Sequence, residues 1–189
     1  MVYPENSKSN SKLPREFYTR PNVLHVAREL LAKLLVVPTK NGKRVSGRIV
    51  EVEAYHGPED RAAHSFGGRR TKRTEPMYGI GGTAYVFFVY GMYYQFNVVT
   101  NVAGTPHAVL IRAIEPVEGI ELMRKRRGSQ PDHNLTNGPG KLCIALGIDR
   151  NLDGADLLGN KVWLEEGEEI PRSRIMSGPR TGIDYAEEW

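Results

Sequence analysis

The segment GRIVEVEAY carries two glutamates and a tyrosine at alternating positions, in a stretch rich in β-branched residues. Successive side chains of a strand point to opposite faces, so Glu51, Glu53 and Tyr55 should share one face, with Glu53 and Tyr55 about 7 Å apart. A carboxylate beside an aromatic ring is a suitable general base at the edge of a pocket that binds a planar ring. The alternative is a solvent-exposed face on which the glutamates only add solubility.

The loop HGPEDRAAHSFGGRR follows this strand and contains four candidate metal ligands: His56, Glu59, Asp60 and His64. Their spacing matches no recognised metal motif, and with Cys143 as the lone cysteine a cysteine-based zinc site is excluded. We therefore predict no metal and no cofactor. For His64, we expect a hydrogen bond to a phosphate or to a partner side chain.

The aromatic-rich segment TAYVFFVYGMYYQFNVVTN predicts a β-hairpin. Strands 85–90 and 93–98 would flank Gly91-Met92, and a glycine in the first loop position is typical of a type II′ turn. The tip would then expose Tyr90, Met92 and Tyr93. Apolar side chains on a protruding tip can enter the minor groove of DNA and fill the space that a displaced base leaves. Ordinary packing of these aromatics in the core is an equal alternative.

Positive charge is concentrated in two short blocks, although the net charge of the 189 residues is only +4. The first block comprises Arg69, Arg70, Lys72 and Arg73, and the second spans residues 124–127. Dense basic blocks in a small domain suit a polyanionic partner. A pair of solvated loops would have the same composition, so charge alone leaves both interpretations open.

The elements that must position these residues mix helices and strands without a βαβ rhythm. Helices are predicted from Pro21, with Asn22 as the cap, from Pro116 and from Pro139 to Gly147. Strands are predicted at LLVVP, at 45–55 after an Asn41-Gly42 turn, at 108–114, at KVWL and around Ile175. This order favours an α+β fold: one compact domain with a curved, mainly antiparallel sheet, surrounding helices and a protruding hairpin.

Residues 1–13 are polar and are predicted to be a flexible N-terminal tail, with the folded domain at 14–189. The first residues lack the apolar centre of a signal peptide, and no apolar stretch approaches the ~20 residues that span a bilayer. We therefore expect a cytoplasmic protein without membrane contact, associated with the nucleoid if the source is a bacterium.

Four ordered segments resemble the alkyladenine DNA glycosylase family, the mammalian type of 3-methyladenine DNA glycosylases. They are GRIVEVEAYHGPEDRAAHS, YGMYYQFNVV, VLIRAIEPVEG and NGPGKLCIALGI, and the likeness runs from about Glu16 to the end. The resemblance implies a monomer that binds double-stranded DNA containing damaged purines. It would flip out alkylated or deaminated purines (3-methyladenine, 7-methylguanine, hypoxanthine, ethenoadenine) and hydrolyse the N-glycosidic bond without a lyase step, leaving an abasic site.

The resemblance also implies roles for individual residues. Glu53 would deprotonate the attacking water, and Arg112 would help to hold that water. The implied base pocket consists of Tyr55, His64, Phe87 and Asn97. Tyr55 and Phe87 would stack on the flipped base, and Asn97 would disfavour guanine. Relatives often have a tyrosine where Phe87 stands, so stacking should remain while a hydroxyl contact is lost.

The hairpin and the basic residues would contact the rest of the DNA. Tyr90 and Met92 are implied as intercalating residues. Contacts to the DNA backbone are assigned to Tyr93, Arg69, Arg70, Lys72 and Lys141. The chain stops at Trp189, where relatives continue into a further strand.

Two other functions compete with this interpretation. The family's fold is similar to the C-terminal barrel of methionyl-tRNA formyltransferase, so the protein could be a non-catalytic RNA-binding barrel. A carboxylate in a phosphate-binding groove argues against that function. The second alternative is a metal nuclease that uses Glu51, Glu53, Glu59 and Asp60, which predicts inhibition by a chelator and direct strand cleavage.

Overall fold

A computed structural model describes residues 11–128 and 130–183 of the chain. Its centre is a six-stranded sheet whose strands are β1 Leu34–Pro38, β2 Arg44–Tyr55, β3 Ala84–Val89, β4 Tyr93–Thr100, β5 His107–Glu118 and β6 Trp163–Glu165. Their order in the sheet is β3-β4-β5-β2-β1-β6, and every neighbouring pair is antiparallel. The predicted α+β fold with a mainly antiparallel sheet is confirmed.

Helices cover one face of this sheet. They are α1 Arg15–Tyr18, α2 Val23–Leu30, α3 Ile120–Arg127 and α4 Pro139–Leu146, and short 3-10 helices lie at Gly57–Glu59, Phe66–Gly68, Glu75–Tyr78, Asp132–Asn134, Arg150–Leu152 and Arg172–Arg174. As predicted, Asn22 caps α2, because its side-chain oxygen accepts a hydrogen bond from the backbone N–H of His25. Within the described residues, no helix has both the length and the apolarity that a membrane crossing requires.

The long strands have two faces of different character. Ile49, Val98, Val109 and Ile111 are fully buried in the main core with apolar residues of α2 and α4. The intervening positions point to the opposite face, where Glu53, Asn97 and Leu110 line a cleft. That second face carries the polar and aromatic residues that the sequence singles out.

The hairpin forms as predicted, but its turn differs from the predicted type II′. The backbone N–H of Met92 donates to the carbonyl of Val89, and both central residues, Tyr90 and Gly91, have positive φ values of 53° and 68°. Two left-handed central residues are the property of a type I′ turn. The turn is therefore centred on Tyr90-Gly91, one residue earlier than predicted, and a tyrosine occupies a conformation that favours glycine.

Three further expectations need correction. Strand β5 continues to Glu118, so α3 begins at Ile120 rather than near Pro116. Ile175 follows a 3-10 turn and is not in a strand. Residues 11–13 run beside β6, with Leu13 buried and its N–H bonded to Leu164, so they belong to the folded domain. Residues 1–10 and the end of the chain at Trp189 lie outside the described residues.

Candidate active site

A row of four side chains crosses four neighbouring strands on the open face of the sheet. The register pairs Glu53 of β2 with Leu110 of β5, Leu110 with Asn97 of β4, and Asn97 with Tyr85 of β3. Residues directly opposite in antiparallel strands point to the same side. All four line one cleft of about 490 Å³, which is within the usual range for small-molecule sites, about 300–1,000 Å³.

Glu53 lies at one end of this row and is only 6% exposed. The Tyr55 hydroxyl donates to Oε2 over 2.9 Å, and the backbone N–H of Thr181 donates to Oε1 over 2.8 Å. Arg112 Nη1 is 3.2 Å from the same Oε1. An ionised carboxylate only accepts hydrogen bonds, so it matches these donors on three sides. The side chain is therefore fixed in one orientation, with its charge balanced by the guanidinium.

An irregularity in the register brings Arg112 to this carboxylate. Glu51 pairs with Ala113, but the next residue of β2, Val52, pairs with Ile111. Arg112 therefore has no partner residue in the register between β2 and β5. Such irregularities in a sheet re-aim side chains and often lie beside active sites. Arg112 Nε also donates to Glu51 over 2.8 Å. The two glutamates and Arg112 therefore share one face, as the alternation of β2 predicted for the glutamates.

Tyr55 lies between Glu53 and Arg180, and the sequence did not indicate Arg180. Arg180 lies over the Tyr55 ring at 4.7 Å from its centre and donates to both carboxylate oxygens of Asp60 and to the carbonyl of Ala54. The Asp60 side chain is 1% exposed. Burial, reinforced by the charge of Glu53, raises the pKa of Tyr55, so the phenol stays protonated and donates to Glu53.

Three aromatic side chains form the opposite wall. His64 Nδ1 is 2.8 Å from the Tyr85 hydroxyl, and the His64 and Phe87 rings meet edge to face at 4.6 Å. Burial, together with the charges of Arg73 and Arg69, lowers the pKa of His64, so the imidazole is neutral at pH 7. Tyr85 was not predicted, although its spacing of two residues from Phe87 on β3 could have indicated it. Asn97 donates from its side-chain amide to the Tyr85 carbonyl over 3.2 Å.

The hairpin tip projects beside the cleft. Tyr90 is 80% exposed and Met92 is 62% exposed, and Tyr90 also borders the cleft. Tyr93 does not share this exposure. Its ring packs on the first turn of α4, where a Cβ on Gly140 would lie only 2.8 Å from the ring, so a glycine is needed at that position.

The two basic blocks differ in their surroundings. Arg69, Arg70, Lys72 and Arg73 are exposed in the loop beside the cleft, with Arg70 paired to Glu75 and Arg73 lying 5.2 Å from the centre of the Phe87 ring. In the second block, Arg124 pairs with Asp132, Arg126 donates to the Ala145 carbonyl, and Arg127 donates to the Asn134 carbonyl. These three arginines contact the 130–138 loop and α4, whereas the first block is an open basic surface next to the cleft.

Lys141 lies on α4 and donates to the side-chain oxygens of Asn134 and Asn137 over 2.6 and 2.9 Å. Its ammonium group is therefore partly engaged in hydrogen bonds within the protein.

The structure brings together six of the predicted site residues around one cleft: Glu53, Arg112, Tyr55, His64, Phe87 and Asn97. Tyr90 lies at the border of this cleft, and the first basic block lies beside it.

Comparison with known proteins identifies the family. The model of the methylpurine-DNA glycosylase family matches residues 16–189. A relative from Desulfitobacterium hafniense (strain Y51) is 55% identical over 94% of this chain and 90% of its own length. Relatives from Clostridium acetobutylicum and Bacillus cereus (strain AH187) are each 52% identical, over 94% and 93% of this chain and 89% of their own lengths. All three are provisionally named 3-methyladenine DNA glycosylase. The chain therefore belongs to the methylpurine-DNA glycosylase family, whose members are DNA glycosylases, the hydrolases that begin base-excision repair.

Proposed function

We propose that this glycosylase flips alkylated or deaminated purines out of duplex DNA and hydrolyses their bond to deoxyribose, with Glu53 activating the water. The observation that carries the proposal is the buried Glu53 carboxylate at one end of an aromatic cleft, held by Tyr55, Thr181 and Arg112. The relatives' names mention 3-methyladenine, which is one member of this substrate class. Hypoxanthine, 7-methylguanine and ethenoadenine complete the proposed range.

The flipped base would lie between Tyr55 and Phe87, next to His64 and Asn97. A cationic alkylated purine gains roughly 0.5–2 kcal/mol from a good contact with an aromatic face. Here Arg180 and Arg73 already lie over the Tyr55 and Phe87 rings, and although Arg180 is paired with Asp60, the charge of Arg73 opposes part of that gain. The contact of the cation with the two rings therefore contributes little to selectivity. The selectivity for damaged purines would come mainly from their weak pairing, which makes them easier to flip, and from the rejection of guanine by Asn97.

Hydrolysis would proceed by attack of water on the sugar carbon from the side opposite the leaving base. As the bond to the base breaks, its electron pair leaves with the purine, and the charge of the Glu53 carboxylate stabilises the oxocarbenium-like sugar. Glu53 then takes the proton from the attacking water, which Arg112 helps to hold. Among the described residues that line the cleft, none is a lysine. The described lining of the cleft therefore offers no amine for a Schiff base, and we expect the DNA strand to stay intact.

The test is a panel of duplex oligonucleotides, each containing one damaged purine, incubated with the full chain in the presence of EDTA. We expect release of the free base and an abasic site that breaks only after alkali. Strand cleavage that needs no alkali and is abolished by EDTA would support the metal nuclease instead. DNA or RNA binding without any released base would support a binding protein and overturn the proposal.

Substitution of Tyr90 by alanine should weaken capture of a lesion in duplex DNA by about tenfold or more, because stacking of a base on an aromatic side chain contributes about 1–3 kcal/mol. The proposed role is to fill the gap that the flipped base leaves in the stack, a gap that single-stranded DNA lacks. Binding and excision should be measured on the same lesion in both contexts.

Val117→Ala, which truncates an exposed side chain at the far end of β5, is the control. It should behave like the unmodified protein on both substrates. Equal losses for Tyr90→Ala on duplex and single strands would contradict intercalation.

A further inference from the structure

A second cluster of ligand-type side chains lies outside the cleft, where the loop after β2 meets the beginning of β5. It consists of His56, Glu59 and His107, whose ligand atoms all lie within 4.8 Å of one another. His56 Nδ1 is 3.6 Å from Glu59 Oε2, and the rings of His56 and His107 are 4.4 Å apart at their centres. Sequence spacing could not show this group, because His107 comes from a distant strand.

His107 has the surroundings of a metal-binding histidine. It is 5% exposed, and its Nε2 edge faces the loop, because a Cβ on Gly57 would lie 3.5 Å from Nε2 and 2.9 Å from Cδ2. On the other side, the ring hydrogen-bonds the backbone of Pro21, and Nδ1 lies 3.2 Å from the Asn101 amide nitrogen. The Asn101 amide nitrogen is itself a donor, so the metal-binding form of His107 is the tautomer whose ring N–H donates to the Pro21 carbonyl and whose Nε2 carries no proton. Metal-binding histidines usually donate their second ring N–H to a carbonyl or carboxylate in this way.

The chemistry of the ligands limits the choice of metal. Two imidazoles and one carboxylate suit Zn²⁺ and other late transition metals, whereas Mg²⁺ and Ca²⁺ prefer sites made of oxygen ligands only. An ion held by the three side chains would take the place of any proton on the two rings, because a ligand imidazole must be neutral.

We propose that His56, Glu59 and His107 form a binding site for a divalent transition-metal ion such as Zn²⁺, separate from the cleft that holds Glu53. The ion would tie the loop at Gly57–Glu59 to the first residue of β5. Asp60 is the next residue of this loop, and it accepts hydrogen bonds from the backbone of His56 and from Arg180. Metal binding would therefore brace the segment that holds Arg180 over Tyr55. This inference does not depend on which base the enzyme removes.

The test is metal binding by the full chain, measured by calorimetric titration with Zn²⁺ and by the visible absorption spectrum of added Co²⁺. We expect one equivalent of Zn²⁺ to bind and the thermal midpoint to rise by several degrees, whereas Mg²⁺ gives no rise. His56→Ala and Glu59→Gln should each weaken Zn²⁺ binding by at least about tenfold, the lower bound for loss of an outer-shell partner. Both side chains are about half exposed, so these variants should fold.

His25→Ala removes an exposed histidine from α2 and is the matched control, with unchanged Zn²⁺ affinity expected. Absence of binding by the unmodified chain would overturn the proposal. So would Zn²⁺ binding that both His56→Ala and Glu59→Gln retain at full affinity, since the ion would then occupy another site. Neither outcome bears on the proposed reaction, which is measured in EDTA.

Discussion

Replacing Glu53 with glutamine should slow base release by about 10²–10⁴-fold or more, the usual contribution of a general base, while binding to lesion-containing DNA persists. Glutamine has nearly the same shape but cannot take a proton from water, and it carries no charge to stabilise the sugar cation. The rate should be measured under single-turnover conditions on a hypoxanthine duplex, and binding by fluorescence anisotropy on the same DNA.

The contacts of Glu53 also predict a cost in stability. Its oxygens accept from Tyr55 and Thr181 and face Arg112, so the glutamine amide must turn its NH₂ group toward one of these donors. An unsatisfied donor at a buried site costs about 1–3 kcal/mol. Circular dichroism and thermal unfolding should therefore accompany the kinetic measurement, to show that the variant is folded at the assay temperature.

Glu51→Gln is the matched control for this prediction. Glu51 is on the same face of β2 and accepts from Arg112, but its side chain is about half exposed. We expect a much smaller loss of rate than for Glu53→Gln. An equal loss in both variants would mean that the orientation of Arg112, rather than a base at position 53, limits the reaction. Full activity of Glu53→Gln would contradict the proposed mechanism.

Asp60→Asn should lower the free energy of unfolding by about 3–5 kcal/mol, because it leaves a buried guanidinium without its charged partner. The side chains of Asp60 and Arg180 are 1% and 12% exposed, and two hydrogen bonds join them. Burial alone would raise the pKa of Asp60, but the bonds from Arg180 and from the backbones of Ala62 and His56 lower it. Urea unfolding at pH 7, where the carboxylate is ionised, should show the loss.

Base release should decrease in the same variant. Arg180 packs on Tyr55, and the next residue, Thr181, donates to Glu53, so a displaced Arg180 disturbs both pocket residues. Glu75→Gln is the control, since it breaks an equally well aligned arginine–carboxylate pair on the exposed surface. Exposed pairs contribute little to stability. A comparable loss in both variants, or unchanged activity of Asp60→Asn, would contradict the positioning role of the buried pair.

Local patterns in the sequence predicted the parts of the site that lie within one strand. Alternation along β2 placed Glu51, Glu53 and Tyr55 on one face, because a strand fixes the direction of each side chain relative to its neighbours. The same reasoning on β3 extends from Phe87 to Tyr85. Asn22 capped its helix as expected, since capping depends on contacts within a few residues.

Contacts between distant segments could not be predicted in this way. The row from Glu53 to Tyr85 depends on the strand order, and the position of Arg112 depends on a register irregularity that no motif marks. Arg180 and Thr181 lie in SGPRTGID, whose glycines and proline indicate only a loop. The predicted strand around Ile175 was wrong because a short apolar pair in such a segment has no periodicity. The second basic block illustrates the same limit, since the partners of its arginines are in the following loop and in α4.

The turn at the hairpin tip also has a consequence for any attempt to raise the thermal stability of this enzyme. A tyrosine held at a φ of 53° is strained by an amount on the order of 1–3 kcal/mol, which glycine would relieve. A library of variants screened only for thermal stability would therefore accumulate glycine at position 90, and would lose the ring that we propose fills the gap left by the flipped base. Directed evolution of this protein therefore has to select for thermal stability and for base excision together, because glycine at position 90 would increase the first and decrease the second.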